Sequence, residues 1–260
     1  MKIRVLVFAW LLWGSAAVAS DWSLTVYSEQ YPPYNYIDEN GQGKGAAYDL
    51  LVLMLNDINR EDLKSKIQFV PWARGYHETL VQPNTLLFSI VRNKDRDAMF
   101  QWVGPVFETS HALIGSKEIA QSLPSPVSLK DFSNFSIGVV NNDIGELLLQ
   151  QSNIKFNNLE VVSFPHQAAK MLAQKRIDIW SYGYEPAQFL MKAEGIEEED
   201  YQILYRLQDN SQLYYGFSLQ TPKHIVQLFQ DSLERMRQKD PDSSLSPIDE
   251  LALKYQLYNQ

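Results

Sequence analysis

Apolar and polar positions along this chain switch between two periods. Short apolar or β-branched runs at residues 24–27, 67–70, 86–90, 110–116, 136–140, 159–162 and 177–181 predict strands. Between them, apolar residues recur at helical spacing. Residues 47–58 carry Leu50, Leu51, Leu53, Met54, Leu55 and Ile58 on one stripe, and further helices are predicted from Pro71 onward and over 144–151, 165–174 and 187–193. Asp38-Glu39-Asn40-Gly41 reads as a hairpin turn. Residues 201–220 predict two strands around Asp209-Asn210-Ser211. Thr221-Pro222 then opens a long helix to about Lys239, with Thr221 as its N-cap, and 246–255 forms a final short helix. Strands alternating with helices imply an α/β class, a mixed, mostly parallel sheet flanked by helices.

The run at 86–90 decides where chemistry falls. It has the continuous apolar character of a buried strand, then breaks into a turn bearing Arg92, Lys94 and Arg96 and closes on Trp102 and the turn signal Gly104-Pro105. Guanidiniums just past a strand end suit a two-pronged hold on a carboxylate. Ligands of open α/β sheets sit outside such carboxyl ends. The plainer reading pairs Arg92 and Arg96 with Asp95, Asp97 or solvent. Tyr31, Tyr34 and Tyr36 bracket Pro32-Pro33. Tyr31 and Tyr34 read either as a stacking wall or as caps on their own core, Tyr36 as a cap. Trp72 and Arg74 either hold a small zwitterion or pack on one another.

Later in the chain, Asn141-Asn142-Asp143 stands between a strand and a helix, where backbone N–H groups bind anions; Asp143 also reads as the N-cap. The strand at 177–181 leads to an aromatic and acidic tip with Tyr182 and Glu185. His77 has no second His or Cys at metal spacing, and the acidic run at 197–200 reads as a solvated turn. No metal or cofactor is expected.

Composition narrows the class. The 260 residues open with Lys2 and Arg4, an apolar run over 5–13 and Ala17-Val18-Ala19, the pattern of an export signal over 1–20 cleaved after Ala19 or Ser20. No later stretch reaches about 18 apolar residues. The chain has no cysteine, so neither a disulfide nor a cysteine-linked lipid is available. A soluble, monomeric periplasmic protein is expected. The net charge is −8, and losing Lys2 and Arg4 takes it to −10, which argues against nucleic acid or an anionic membrane as partner.

Pro124 and Pro126 lead into a second lobe bracketed by strands on both sides, so the chain crosses between lobes twice. Lobe 1 is expected over 21–114 plus 206–260 and lobe 2 over 115–205, with the ligand in the cleft between them. The order and spacing of several segments carry a resemblance. They are Tyr31-Pro32-Pro33-Tyr34 with Gly41, Gly45 and Asp49-Leu50-Leu51; Phe88-Ser89-Ile90 running to Arg96, Trp102 and Gly104-Pro105; Ile137-Gly138-Val139-Val140; Arg176-Ile177-Asp178; and Tyr215-Gly216-Phe217-Ser218. Over about residues 22–256 the chain resembles the family 3 periplasmic solute-binding proteins, receptors of polar amino acid ABC transporters. The resemblance implies a two-lobed, periplasmic-binding-protein-like clamp. In it Tyr31 stacks on the ligand, Ser89 meets its polar end, Arg96 grips its carboxylate, and Asn142-Asp143-Ile144 completes the carboxylate site.

The chain departs from that pattern twice. Gly183 stands where amino-acid binders place an acidic residue for the ligand ammonium, with Glu185 two residues on. Asp143 and Ile144 replace the small hydroxyls after strand 136–140, and a carboxylate there opposes a carboxylate ligand. The function expected is capture of a small polar, carboxylate-bearing solute for an ABC permease. One alternative is a sensor presenting its closed form to a membrane receptor. The other is a periplasmic enzyme of the cyclohexadienyl dehydratase type, with Glu185 as general acid and His111 or His166 behind it.

Overall fold

The computed structural model describes residues 22–239 and 243–257, so the expected export signal lies outside the described residues. The chain runs through Thr25–Ser28 (β1), a small hairpin of Tyr36–Ile37 (β2) and Gly43–Lys44 (β3), Ala46–Asp57 (α1), Ile67–Phe69 (β4), Trp72–Val81 (α2) and Thr85–Val91 (β5). Phe100–Ser116 (β6), Lys117–Ser122 (α3), Ser136–Val140 (β7), Ile144–Gln151 (α4), Asn158–Val162 (β8) and Pro165–Ala173 (α5) follow. The last elements are Ile179–Gly183 (β9), Tyr184–Ala193 (α6), Tyr201–Ser218 (β10), Lys223–Met236 (α7) and Pro247–Lys254 (α8).

Eight strands form one sheet in the order β4-β1-β5-β10-β6-β9-β7-β8. The pairs β1–β4, β1–β5, β7–β8 and β7–β9 are parallel; β5–β10, β10–β6 and β6–β9 are antiparallel. β5 and β6 both oppose β10, so they point the same way, while β9 opposes β6. The parallel strands of the two halves therefore run toward each other, and their carboxyl ends converge on the middle of the molecule. Two crevices of the kind that bind ligands in α/β sheets meet face to face there. The fold is the two-lobed α/β architecture with two crossings.

All seven residues of β5 are buried, as its apolar run requires. The main core spans both halves, with Leu50, Met54, Phe88 and Phe217 on one side and Ala168, Leu172 and Trp180 on the other. A smaller core around Phe132, Ile137, Val139 and Ile179 lies within the second half. Burying each of the Leu, Ile, Val, Met and Phe side chains among these stabilises the fold by about 1.5–3 kcal/mol. Among the described residues no helix is long and apolar enough to cross a membrane.

Three expectations need correction. Trp102 and Gly104-Pro105 do not end a segment; they lie inside the 17-residue β6, which continues through residues 110–116. The proline is tolerated because the β6–β10 register shifts between Leu213 and Tyr215, opposite it, and prolines within sheets belong at bulges. Asp209-Asn210-Ser211 does not separate two strands. β10 runs unbroken for 18 residues, and the turn residues mark an irregularity where Asn210 takes φ 52°. Thr221 is not the cap of α7: Pro222 holds that position, one residue later, and the Thr221 hydroxyl has no hydrogen-bond partner.

Candidate ligand site

Each convergent strand end delivers polar side chains to the interface between the halves. β1 ends at Ser28 and hands over Glu29; β5 leads into the turn carrying Arg96; β7 leads to Asn142 and Asp143; β9 carries Tyr182 and leads to Glu185. β6, crossing between the halves, contributes His111. Arg96 is 2 % exposed, Glu29 and Asp143 5 %, and His111 1 %.

Arg96 bridges the halves. Its Nη1 donates to the Val91 carbonyl at 3.3 Å and its Nη2 to the Asn142 carbonyl at 3.3 Å, while Nε has no partner. Trp72 and Tyr76 each lie 5.3 Å from its guanidinium carbon. These two residues are four apart on α2, so one helix face presents both rings. Trp72 also donates from Nε1 to the Asn142 carbonyl at 2.8 Å, a second tie between the halves. Asn142 sits at φ 59°, and its N–H is held by Glu146 at 2.6 Å. Asp143 caps α4, accepting from the Gly145 N–H at 3.4 Å. Ser181 of β9 fastens that helix by donating to the Gly145 carbonyl at 2.9 Å.

Electrostatics follow from burial. Removal from water pushes the Glu29 carboxyl well above the usual range; the Asp143 charge adds to the rise and Arg96 opposes it. Burial also raises Asp143, against the pull of Arg96 and of the Ile144 and Gly145 N–H groups. His111 is driven down to about 3, chiefly by burial and then by Arg96, so it is neutral at pH 7. Several buried atoms here have no hydrogen-bond partner: Glu29 Oε2, Ser89 Oγ, both His111 nitrogens, the Tyr182 hydroxyl and Arg96 Nε. Buried polar atoms are normally paired, so these unpaired ones between the two lobes are open to a further hydrogen-bonding partner. Ser89 adds backbone strain, with φ 62° at a bulge between Phe88 and Ile90 of β5. A groove of about 350 Å³ leads to this interior, walled by Glu29 and Trp72 on one side and Phe164 and His166 on the other.

The structure brings together Arg96, Trp72, Asn142 and Asp143, with Tyr31 against Tyr182 at 5.6 Å. Tyr31 and Tyr34 are stacked at 5.5 Å and buried, their hydroxyls turned to Thr109 and to the Glu108 carbonyl of β6. Glu185 is held on β6 as well, accepting from the Thr109 hydroxyl at 2.8 Å and from the Ser110 hydroxyl at 2.9 Å and N–H at 3.2 Å. Arg74 and Arg92 are not brought to the cluster. Arg74 is exposed, two residues past Trp72 and therefore on another face of α2. Arg92 pairs with Asp97 at 2.6 Å and leans on Trp102 and Tyr214 at the surface.

Sequence reading overlooked Glu29, Tyr76 and Glu146, and weighed His111 only as a catalyst. Glu29 had a signal: it follows directly on a predicted strand, as the Arg96 turn does. Tyr76 was also legible, as the residue four past Trp72.

No family model matches the chain, and no curated protein matches it. Solved structures do. A histidine kinase sensor domain with similarity to periplasmic binding proteins is 16 % identical, with TM-score 0.72 over 89 % of this chain and 95 % of that one. An ABC uptake transporter substrate-binding protein from Streptococcus pneumoniae with bound histidine is 15 % identical, with TM-score 0.71 over 89 % and 91 %. The solute receptor for L-cysteine of Neisseria gonorrhoeae is 13 % identical, with TM-score 0.70 over 91 % and 92 %. With the strand order and the convergent carboxyl ends described above, these likenesses establish one thing: the chain has the fold of the periplasmic solute-binding proteins.

Proposed function

We propose that this chain is a clamp that captures a small polar solute between its two lobes, exported to the periplasm and read there by a membrane partner. One observation carries the proposal: the buried polar cluster is assembled from both lobes, with Arg96 and Trp72 on one side closing onto the Asn142 carbonyl of the other. In this reading Arg96 takes an acidic group of the solute, Ser89 and Tyr182 supply polar contacts, and Tyr31 and Trp72 cover it. The lobes meet at the crossings, near Thr109 and His111 on β6 and Gln208 and Ser211 on β10, where the register is irregular. Glu185 and Tyr34, both hydrogen-bonded to β6, fix that hinge rather than the solute.

A melting screen of amino acids, small peptides, polyamines and organic acids tests the clamp. A true ligand at a hundred times its dissociation constant is expected to stabilise the protein by about 2.7 kcal/mol. No shift with any class of compound would refute the reading.

Two partners fit the same clamp. An ABC permease is the first, in keeping with the histidine- and cysteine-binding transport proteins of like fold. The likeness to a histidine kinase sensor domain favours a signalling receptor as the second. A permease and ATPase encoded beside this gene would favour the first. An enzyme of the dehydratase type is the remaining reading. It predicts turnover of prephenate or arogenate by the purified protein, whereas the clamp predicts none.

A further inference from the structure

We infer that the solute is an acid with a flat apolar arm, an aryl-substituted carboxylic acid, and that the groove at the mouth of the cleft seats that arm. The inference rests on the clamp reading above, in which Arg96 takes the acid, and names the class of solute that the same cleft admits. The groove holds about 350 Å³. A dry apolar cavity of about 150 Å³ is enough for a benzene ring, so a ring and part of its linker fit here. The walls come from both lobes: Phe69 and Pro71 from one, Phe164 and Leu190 from the other. All four are half-buried. The lobes already meet where Arg96 and Trp72 donate to the Asn142 carbonyl, yet these apolar walls stay apart. A solute that ended at the polar cluster would leave them facing water. An apolar arm between them removes that surface from water.

The groove is continuous with the polar cluster. Glu29 and Trp72, the more deeply buried of its lining residues, close its inner end. Trp72 lies 5.3 Å from the Arg96 guanidinium carbon. An acid held on Arg96 therefore sends an attached arm past Trp72 and out between the apolar walls.

The walls suit a planar group. Trp72 is fixed by its Nε1 bond to Asn142, Phe69 packs on Tyr48 at 6.3 Å, and Phe164 is stacked on His166 at 5.4 Å with 28° between the rings. Rings held in this way lose little freedom when another ring enters, which favours binding. Among the described residues no Lys or Arg lines the groove, so a second anionic group on the arm would find no countercharge there.

The test is titration calorimetry of the whole exported chain with phenylacetate, 3-phenylpropionate and 4-phenylbutyrate, each set against its ring-free parent, acetate, propionate or butyrate. At least one phenyl acid is expected to bind about tenfold or more tighter than its parent, because the ring leaves water. Phe164→Ala removes part of a wall and Leu190→Trp fills the groove. Each should reduce the advantage of the ring about threefold or more. Melting temperatures without probe show whether the variants fold, and the wild-type comparison stands without them. An advantage below about tenfold in all three pairs, or one that neither folded variant reduces, would overturn the inference and leave the clamp intact. If none of the six acids binds, the inference falls, and the clamp falls with it only when the melting screen is blank as well.

Discussion

Arg96→Ala is expected to abolish ligand-induced stabilisation, with affinity for any solute that stabilises the wild type falling at least about 100-fold. The guanidinium is almost wholly buried, is bonded to carbonyls on both lobes and lies over the neighbouring rings of Trp72 and Tyr76. Its loss has two effects. The solute loses its anion partner, and Glu29 and Asp143 lose their buried countercharge. Removing one member of a desolvated charge group costs more than that group's net contribution, since the remaining charges are stranded. Arg96→Lys keeps the charge but not the planar fork, so it should recover only part of the affinity. Calorimetry on both variants checks this. Wild-type affinity in Arg96→Ala would remove Arg96 from the site.

The second large effect is on acid stability. His111 has a folded-state value near 3 against an ordinary 6.5. The unfolded chain takes up a proton near 6.5 and the folded chain only near 3, so the unfolded state holds more protons throughout that window. Stability is therefore fully present above about 6.5 and is lost as pH falls, by about 1.4 kcal/mol per unit. Glu29 works in the opposite sense: its raised value makes its contribution present at low pH and lost as pH rises through that value. Subtracting a His111→Gln variant isolates the histidine. Urea unfolding at pH 7.5 and 4.5 should show the wild type losing roughly 2–3 kcal/mol more than the variant. Parallel losses would mean that His111 is not held neutral by its surroundings.

Much of the fold was legible because its signals are local. The continuous apolar run of β5, the stripe on α1 and the Asp143 cap of α4 each follow from nearest neighbours in sequence. The misreadings share one cause. Gly104-Pro105 and Asp209-Asn210-Ser211 have turn chemistry, but each is absorbed as an irregularity in a long strand whose partner lies about a hundred residues away. Pairing at that distance overrides local preference. The site divides in the same way. Arg96 was placed by its position after a buried strand. That Arg92 would turn to Asp97, and that Glu29 would face Asp143 from the other lobe, depends on which strand ends converge, and so on topology rather than on any local pattern.

The central claim is that two lobes close on a solute. The absence of native cysteine makes it directly measurable, since labels can be placed on Lys64→Cys in one lobe and Lys170→Cys in the other, both exposed positions. Pulsed electron-spin distance measurement on that pair should give a longer or broader distribution without solute. With a saturating solute from the melting screen it should give a single shorter distance, and Arg96→Ala should fail to shorten. One unchanged distance with and without a bound solute would contradict the account.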